Sequence, residues 1–152
     1  MVTTIAFLIA RALWWEGPAY VIAIGVLLGQ LIVGWTNDLH DYADDLKHNR
    51  TSKPLVSGLI TTKQLRTAIF VVLPLAVIVN LFGPLGLKGG AVYLLGIGFG
   101  LAYNFYFKFT ALSPLPYVIA FAALPASIVV AVDKTPPLWL MAAGSLLGVA
   151  AH

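Results

Sequence analysis

The chain has 152 residues, of which 60% are hydrophobic and 10% charged, with no cysteine and a formal net charge of +3. A mean hydropathy of +0.92 lies far outside the range of soluble domains, so an integral membrane protein is expected. The lack of cysteine removes disulfides, thiolate chemistry and cysteine-based metal sites. The small positive charge is local in origin, and points to membrane orientation and not to nucleic-acid binding.

Apolar runs then alternate with short polar breaks. Residues 2–10 form a run too short to span a bilayer alone, ended by Arg11. It lacks the basic start of a signal peptide, so it is read as a first helix cut short at Met1. Residues 20–36 are the second run, and residues 65–82 the third, ended by Gly83-Pro84 and a glycine-rich turn at 86–90. The fourth, residues 91–107, stops at Lys108. The fifth, residues 113–132, carries Pro114, Pro116 and Pro125, which membrane helices tolerate. Residues 133–137 turn the chain into a sixth run, residues 138–152. The predicted fold is all-α: a polytopic bundle of about six transmembrane helices, the first and last of them cut short.

The nine basic residues orient this bundle. If the loop after the second run is cytoplasmic, Lys47, Arg50, Lys53, Lys63, Arg66 and Lys108 lie inside, and Arg11, Lys88 and Lys134 outside. Trp14, Trp15 and Trp139 then fall near outer boundaries, as interfacial anchors do. Asn80 and Asn104 lie within runs and are expected to hydrogen-bond between helices.

Four of the six carboxylates, Asp38, Asp41, Asp44 and Asp45, cluster where the second run meets the basic loop. At ~100° per residue on a continuing helix, Asp38, Asp41 and Asp45 fall within an arc of roughly 60°, while Asp44 points away. Three carboxylates on one face repel one another unless a cation joins them. Oxygen ligands without sulfur favour a hard ion such as Mg²⁺, which shares its shell with substrate phosphates. Arg50 and Lys53 follow within one loop as phosphate partners. His40 and His48 flank the cluster without metal-site spacing and are read as loop residues.

Residues 37–45 fit N-D-x-x-D-x-x-x-D, from Asn37 through Asp38 and Asp41 to Asp45, and residues 50–58 fit R-x-x-[RK]-P-L-x-x-G. Together they resemble the first signature of the UbiA-type intramembrane prenyltransferases, and the order of apolar runs extends the resemblance over the whole chain. The resemblance implies Mg²⁺-dependent transfer of a prenyl group from a prenyl diphosphate to a lipophilic, often aromatic, acceptor. It implies that Asn37, Asp38, Asp41 and Asp45 hold the metal, and that Asn37, Arg50, Lys53, Lys108 and Tyr103 bind the diphosphate. Asp38, Asp41, Asp45 and Lys108 would be catalytic. The family's Tyr-to-Lys spacing is Y-x-x-x-K, whereas Tyr103 stands five residues before Lys108. The family also has about nine membrane helices and a second Asp-rich motif after the sixth. On that comparison, residues 1–152 are expected to form one partial domain that lacks the C-terminal half and is inactive alone.

Four other readings remain, one of them within the enzyme class: transfer of a group other than prenyl onto a polyprenyl carrier. A solvated charge cluster accounts for the acids alone but not for the 50–58 pattern. A cation transporter or channel segment would more naturally place its carboxylates mid-membrane. A non-catalytic half-protein would pair with another chain.

Overall fold

A computed structural model describes residues 1–13 and 17–151, and is helical throughout with no strand among the described residues. Six α-helices follow one another: α1 Val2–Leu13, α2 Pro18–Lys47, α3 Thr62–Phe82, α4 Gly86–Ala102, α5 Pro114–Val130 and α6 Leu138–Ala151. A π-helical turn, Tyr103–Phe107, extends α4. Trp14 and Trp15, expected as anchors, lie outside the described residues, while Trp139 stands 71% exposed on α6.

Among the described residues, three helices are long and apolar enough to cross a membrane: α2, α3, and α4 with its π-turn. The others, of 12, 17 and 14 residues, are shorter. At ~1.5 Å per residue, the 30 residues of α2 make a rod of about 45 Å. The hydrocarbon core is only ~30 Å thick, so the last turns of α2, which carry the acids, project past it as helix. Local chemistry marks the starts: Pro18 occupies the first turn of α2, where a missing N–H costs nothing. At α3, Thr61 and Gln64 form a reciprocal capping box.

The turn expected at 86–90 is instead the first turn of α4. Gly86 alone makes the change of direction, at φ 62°, and Gly89 and Gly90 are helical for a packing reason. A Cβ on Gly89 would lie 2.5 Å from the Ser127 carbonyl oxygen on α5, and one on Gly90 would collide with the Asn80 carbonyl on α3. Small residues let membrane helices approach this closely. Gly90→Ala is therefore expected to force α3 and α4 apart and cost about 1–3 kcal/mol, read as a lower melting temperature in detergent. Gly98→Ala, on the same helix with nothing within 4 Å of the new Cβ, should leave that temperature unchanged or raise it.

Three side chains dock on α2 carbonyls: Asn80 of α3 donates to Gly25 at 3.1 Å, Tyr93 of α4 to Val26 at 2.9 Å, and Asn104 to Val33 at 2.9 Å. The first and last are the interhelical bonds expected of intramembrane asparagines. At the far end of the bundle, the Lys88 ammonium donates to Asp133 at 2.8 Å, tying the start of α4 to the turn after α5. Loop 48–61 and Lys108 thus share one end, and Lys88 and Asp133 the other.

Candidate functional site

The acids sit on the last three turns of α2. Asp45 is fully buried, the Asp41 and Asp38 side chains are 14% and 36% exposed, and Asp44 is 64% exposed beside His48 at 3.4 Å. The first three share one face and Asp44 points off it.

Loop 48–61 folds back so that its cations reach this face. Asn49 and Gly58 take positive φ, 52° and 75°. Leu55 is buried, and the Pro54 carbonyl accepts from the Ile60 N–H at 3.3 Å and from the Ser57 hydroxyl at 3.2 Å. The P-L-x-x-G stretch thus closes a loop whose work is to present the two cations before it. Arg50 donates to Asp45 Oδ1 at 3.1 Å, and its backbone N–H to the Asp45 carbonyl at 3.0 Å. Lys53 Nζ lies 2.7 Å from Asp45 Oδ2, 3.3 Å from Asp38 Oδ1 and 3.9 Å from Asp41 Oδ2. Burial opposes the charge of Lys53, but hydrogen bonds and charges from Asp45 and Asp38 outweigh it and raise its pKa. The ammonium contact therefore persists at neutral pH, and is lost only as pH rises through that raised value.

Lys108 enters from the other side. Its ammonium donates to Asp41 Oδ2 and, at 3.2 Å, to Asn37 Oδ1, while the Asn37 amide donates to Asp41 at 3.1 Å. Its backbone N–H reaches the Tyr103 carbonyl at 3.0 Å, five residues back. A π-turn absorbs one extra residue, so the five-residue spacing from Tyr103 to Lys108 still delivers the lysine to the acids. The Tyr103 ring meets Tyr117 edge-on at 4.7 Å, on the apolar side of this turn.

Among the described residues, no group of three or more His, Asp or Glu side chains is arranged to hold a metal ion. The carboxylates are joined through Lys53 and Lys108, and Asp45 lies behind Arg50 and Lys53. The donor chemistry nevertheless suits Mg²⁺, because carboxylate and amide oxygens are hard ligands. So does the charge balance. Asp38, Asp41 and Asp45 face Arg50, Lys53 and Lys108, so an arriving diphosphate would bring negative charge that these cations do not offset alone.

One space adjoins the cluster and a second lies deeper in the bundle. A depression of about 370 Å³ at the mouth is lined by His40, Asp41, Lys47, Arg50 and Lys108 among others. Deeper, a cavity of about 170 Å³ lies between α1, α2, α4 and α5, walled by Gln30, Val33, Gly100, Tyr117 and Phe121 among others. Val33 is one helical turn inward from Asn37. Tyr117 and Phe121 went unnoticed in the sequence because α5 is apolar all round, so no periodicity marks the face that lines a cavity; Gln30 is a lone polar residue in the apolar part of α2.

The site is thus a charged cluster at one end of an apolar helical bundle, one helical turn along α2 from the wall of a cavity. The chain matches the family model described as the UbiA prenyltransferase family over residues 1–152, and it belongs to that family. No curated protein and no solved structure gives a significant match.

Proposed function

We propose that the protein transfers a prenyl group from a prenyl diphosphate to a lipophilic or aromatic acceptor within the membrane, with Mg²⁺ as cofactor. The observation that carries this reading is the meeting of three acids and three cations one helical turn along α2 from the wall of a largely apolar cavity. The polar end suits the diphosphate and the apolar end its tail.

Asn37, Asp38 and Asp41 would hold the ion. Asp45, included by the motif, is better suited to positioning Arg50 and Lys53, since it is fully buried against them. When bound, Mg²⁺ would offset charge building on the diphosphate oxygens. Arg50, Lys53 and Lys108 do the same from the protein side, as donors aimed at charge that develops in the transition state. The bond between the prenyl C1 and its oxygen breaks with the electron pair leaving on diphosphate. A nucleophilic atom of the acceptor then bonds to C1 and gives up a proton. Apolar walls exclude water from the allylic cation. Tyr103, at the boundary of the two zones, borders C1 more naturally than the phosphates.

The direct test is calorimetric titration of the purified chain in lipid nanodiscs with Mg²⁺ and geranyl S-thiolodiphosphate, an analogue that ionises slowly. Saturable binding that is lost on chelation is expected; binding indifferent to chelation would refute the role of the ion.

We further propose a multi-pass arrangement in the cell membrane, with loop 48–61 on the cytoplasmic side. Six of the nine basic residues fall at that end. Single cysteines replacing His48 or Lys134, in a chain that has none, should react with an impermeant maleimide from opposite sides. Labelling of both from one side would refute the topology.

A further inference from the structure

Two partly open cavities of the bundle share a wall. The larger, about 170 Å³, is the one described above, and a smaller one of about 80 Å³ lies between α1, α5 and α6. Val2, Phe121 and Leu124 line both. Phe121 is the bulkiest of the three, and it ends a row of rings that starts near the charged mouth. Tyr103 meets Tyr117 edge-on, and Tyr117 stacks on Phe121 with centroids 6.2 Å apart and planes 23° apart. Helix α6 reaches this wall because Gly144 has no side chain: a Cβ there would lie 2.5 Å from the Phe121 carbonyl oxygen.

The size of the larger cavity matters. An engineered cavity of about 150 Å³ in another protein accepts one benzene ring. A cavity of about 170 Å³ therefore holds little more than one isoprenyl unit beyond the unit held at the mouth. The Phe121 ring stands where the next unit would go, and the smaller cavity lies behind it.

We propose that Phe121 sets the length of the prenyl tail the site accepts, by partitioning the tail cavity from the second apolar cavity between α1, α5 and α6. This rests on the donor being a prenyl diphosphate, as argued above. The geranyl tail fits, and a farnesyl tail gains nothing from its last unit. Phe121→Ala joins the cavities and frees the volume of the ring, so the last farnesyl unit is buried as well. Phe121→Trp crowds the first cavity and disfavours geranyl relative to dimethylallyl.

The test is titration of the purified 152-residue chain in lipid nanodiscs, with Mg²⁺ and the dimethylallyl, geranyl and farnesyl S-thiolodiphosphates. In the wild type, affinity should rise from dimethylallyl to geranyl and then stay level. In Phe121→Ala, farnesyl should bind about tenfold tighter than geranyl, a modest return for the several CH₂ groups newly buried. In Phe121→Trp, geranyl should lose about tenfold while dimethylallyl is unchanged. Phe121→Leu, which keeps an apolar side chain in the wall, should shift in the same direction as Ala and guards against a collapsed variant. Identical profiles in all four proteins, with Mg²⁺ and inorganic diphosphate still binding in each and failing to bind Lys108→Met, would overturn the partition while leaving the donor reading intact. If the wild type binds neither inorganic diphosphate nor any analogue, both fall.

Discussion

Asp41→Asn is expected to lower Mg²⁺-dependent prenyl transfer about a thousandfold, the loss typical when a preorganised charge partner at the reacting group is removed. Asp41 is the hub of the cluster: Lys108 and Asn37 donate to it, and Lys53 lies 3.9 Å away. The amide removes the negative charge that Lys108 contacts and that Lys53 approaches, and would remove one of the proposed ion ligands at the same time. Asp38→Asn should come close to this loss. Asp44→Asn should change the rate less than twofold, because its contact with His48 is exposed, and exposed pairs contribute ~0–1 kcal/mol. The assay is transfer of labelled prenyl groups by membranes that express the wild type or each variant at matched levels. Equal losses at positions 41 and 44 would show that the shared face is not what matters.

Asp45→Asn should act differently, with its main effect on stability and on diphosphate binding. The buried carboxylate is contacted by Arg50 on one oxygen and by Lys53 on the other. Removing one partner from a buried ionic group typically costs ~3–5 kcal/mol because the others are left uncompensated. The half-exposed Arg50 can recover some hydration, which places the expectation at about 3 kcal/mol, read as a lower melting temperature in detergent. The 48–61 loop should also exchange its amide hydrogens faster, and KM for the donor should rise about tenfold or more. Manganese affinity, measured by electron paramagnetic resonance in place of Mg²⁺, should stay within twofold. A large drop in manganese affinity with an unchanged loop would make Asp45 a ligand after all.

These two predictions separate residues that a single motif treats alike, which bears on how much the sequence could say. The number and order of the helices were legible from apolar runs, because each helix is mostly apolar and each break between them is marked by polar residues, proline or glycine. The shared face of Asp38, Asp41 and Asp45 followed from the helical step alone. The burial of Asp45 did not, since it depends on how loop 48–61 folds back, and a loop has no periodicity to read. Gly89 and Gly90 resembled a turn because glycine marks turns and close helix contacts equally well. The two cavities were invisible, because Phe121 and Gly144 lie on helices without a polar face.

The π-turn at Tyr103–Phe107 has a consequence for how such a helix can vary. Gly96, Ile97 and Gly100 line the cavity before it, and Lys108 meets Asp41 and Asn37 after it. In an unbroken α-helix one added residue would rotate everything beyond it by ~100°, so cavity shape and lysine position would be locked together. The widened turn takes up that residue locally, as an expansion joint does. The cavity wall before the joint and the charged end beyond it are thereby free to change independently.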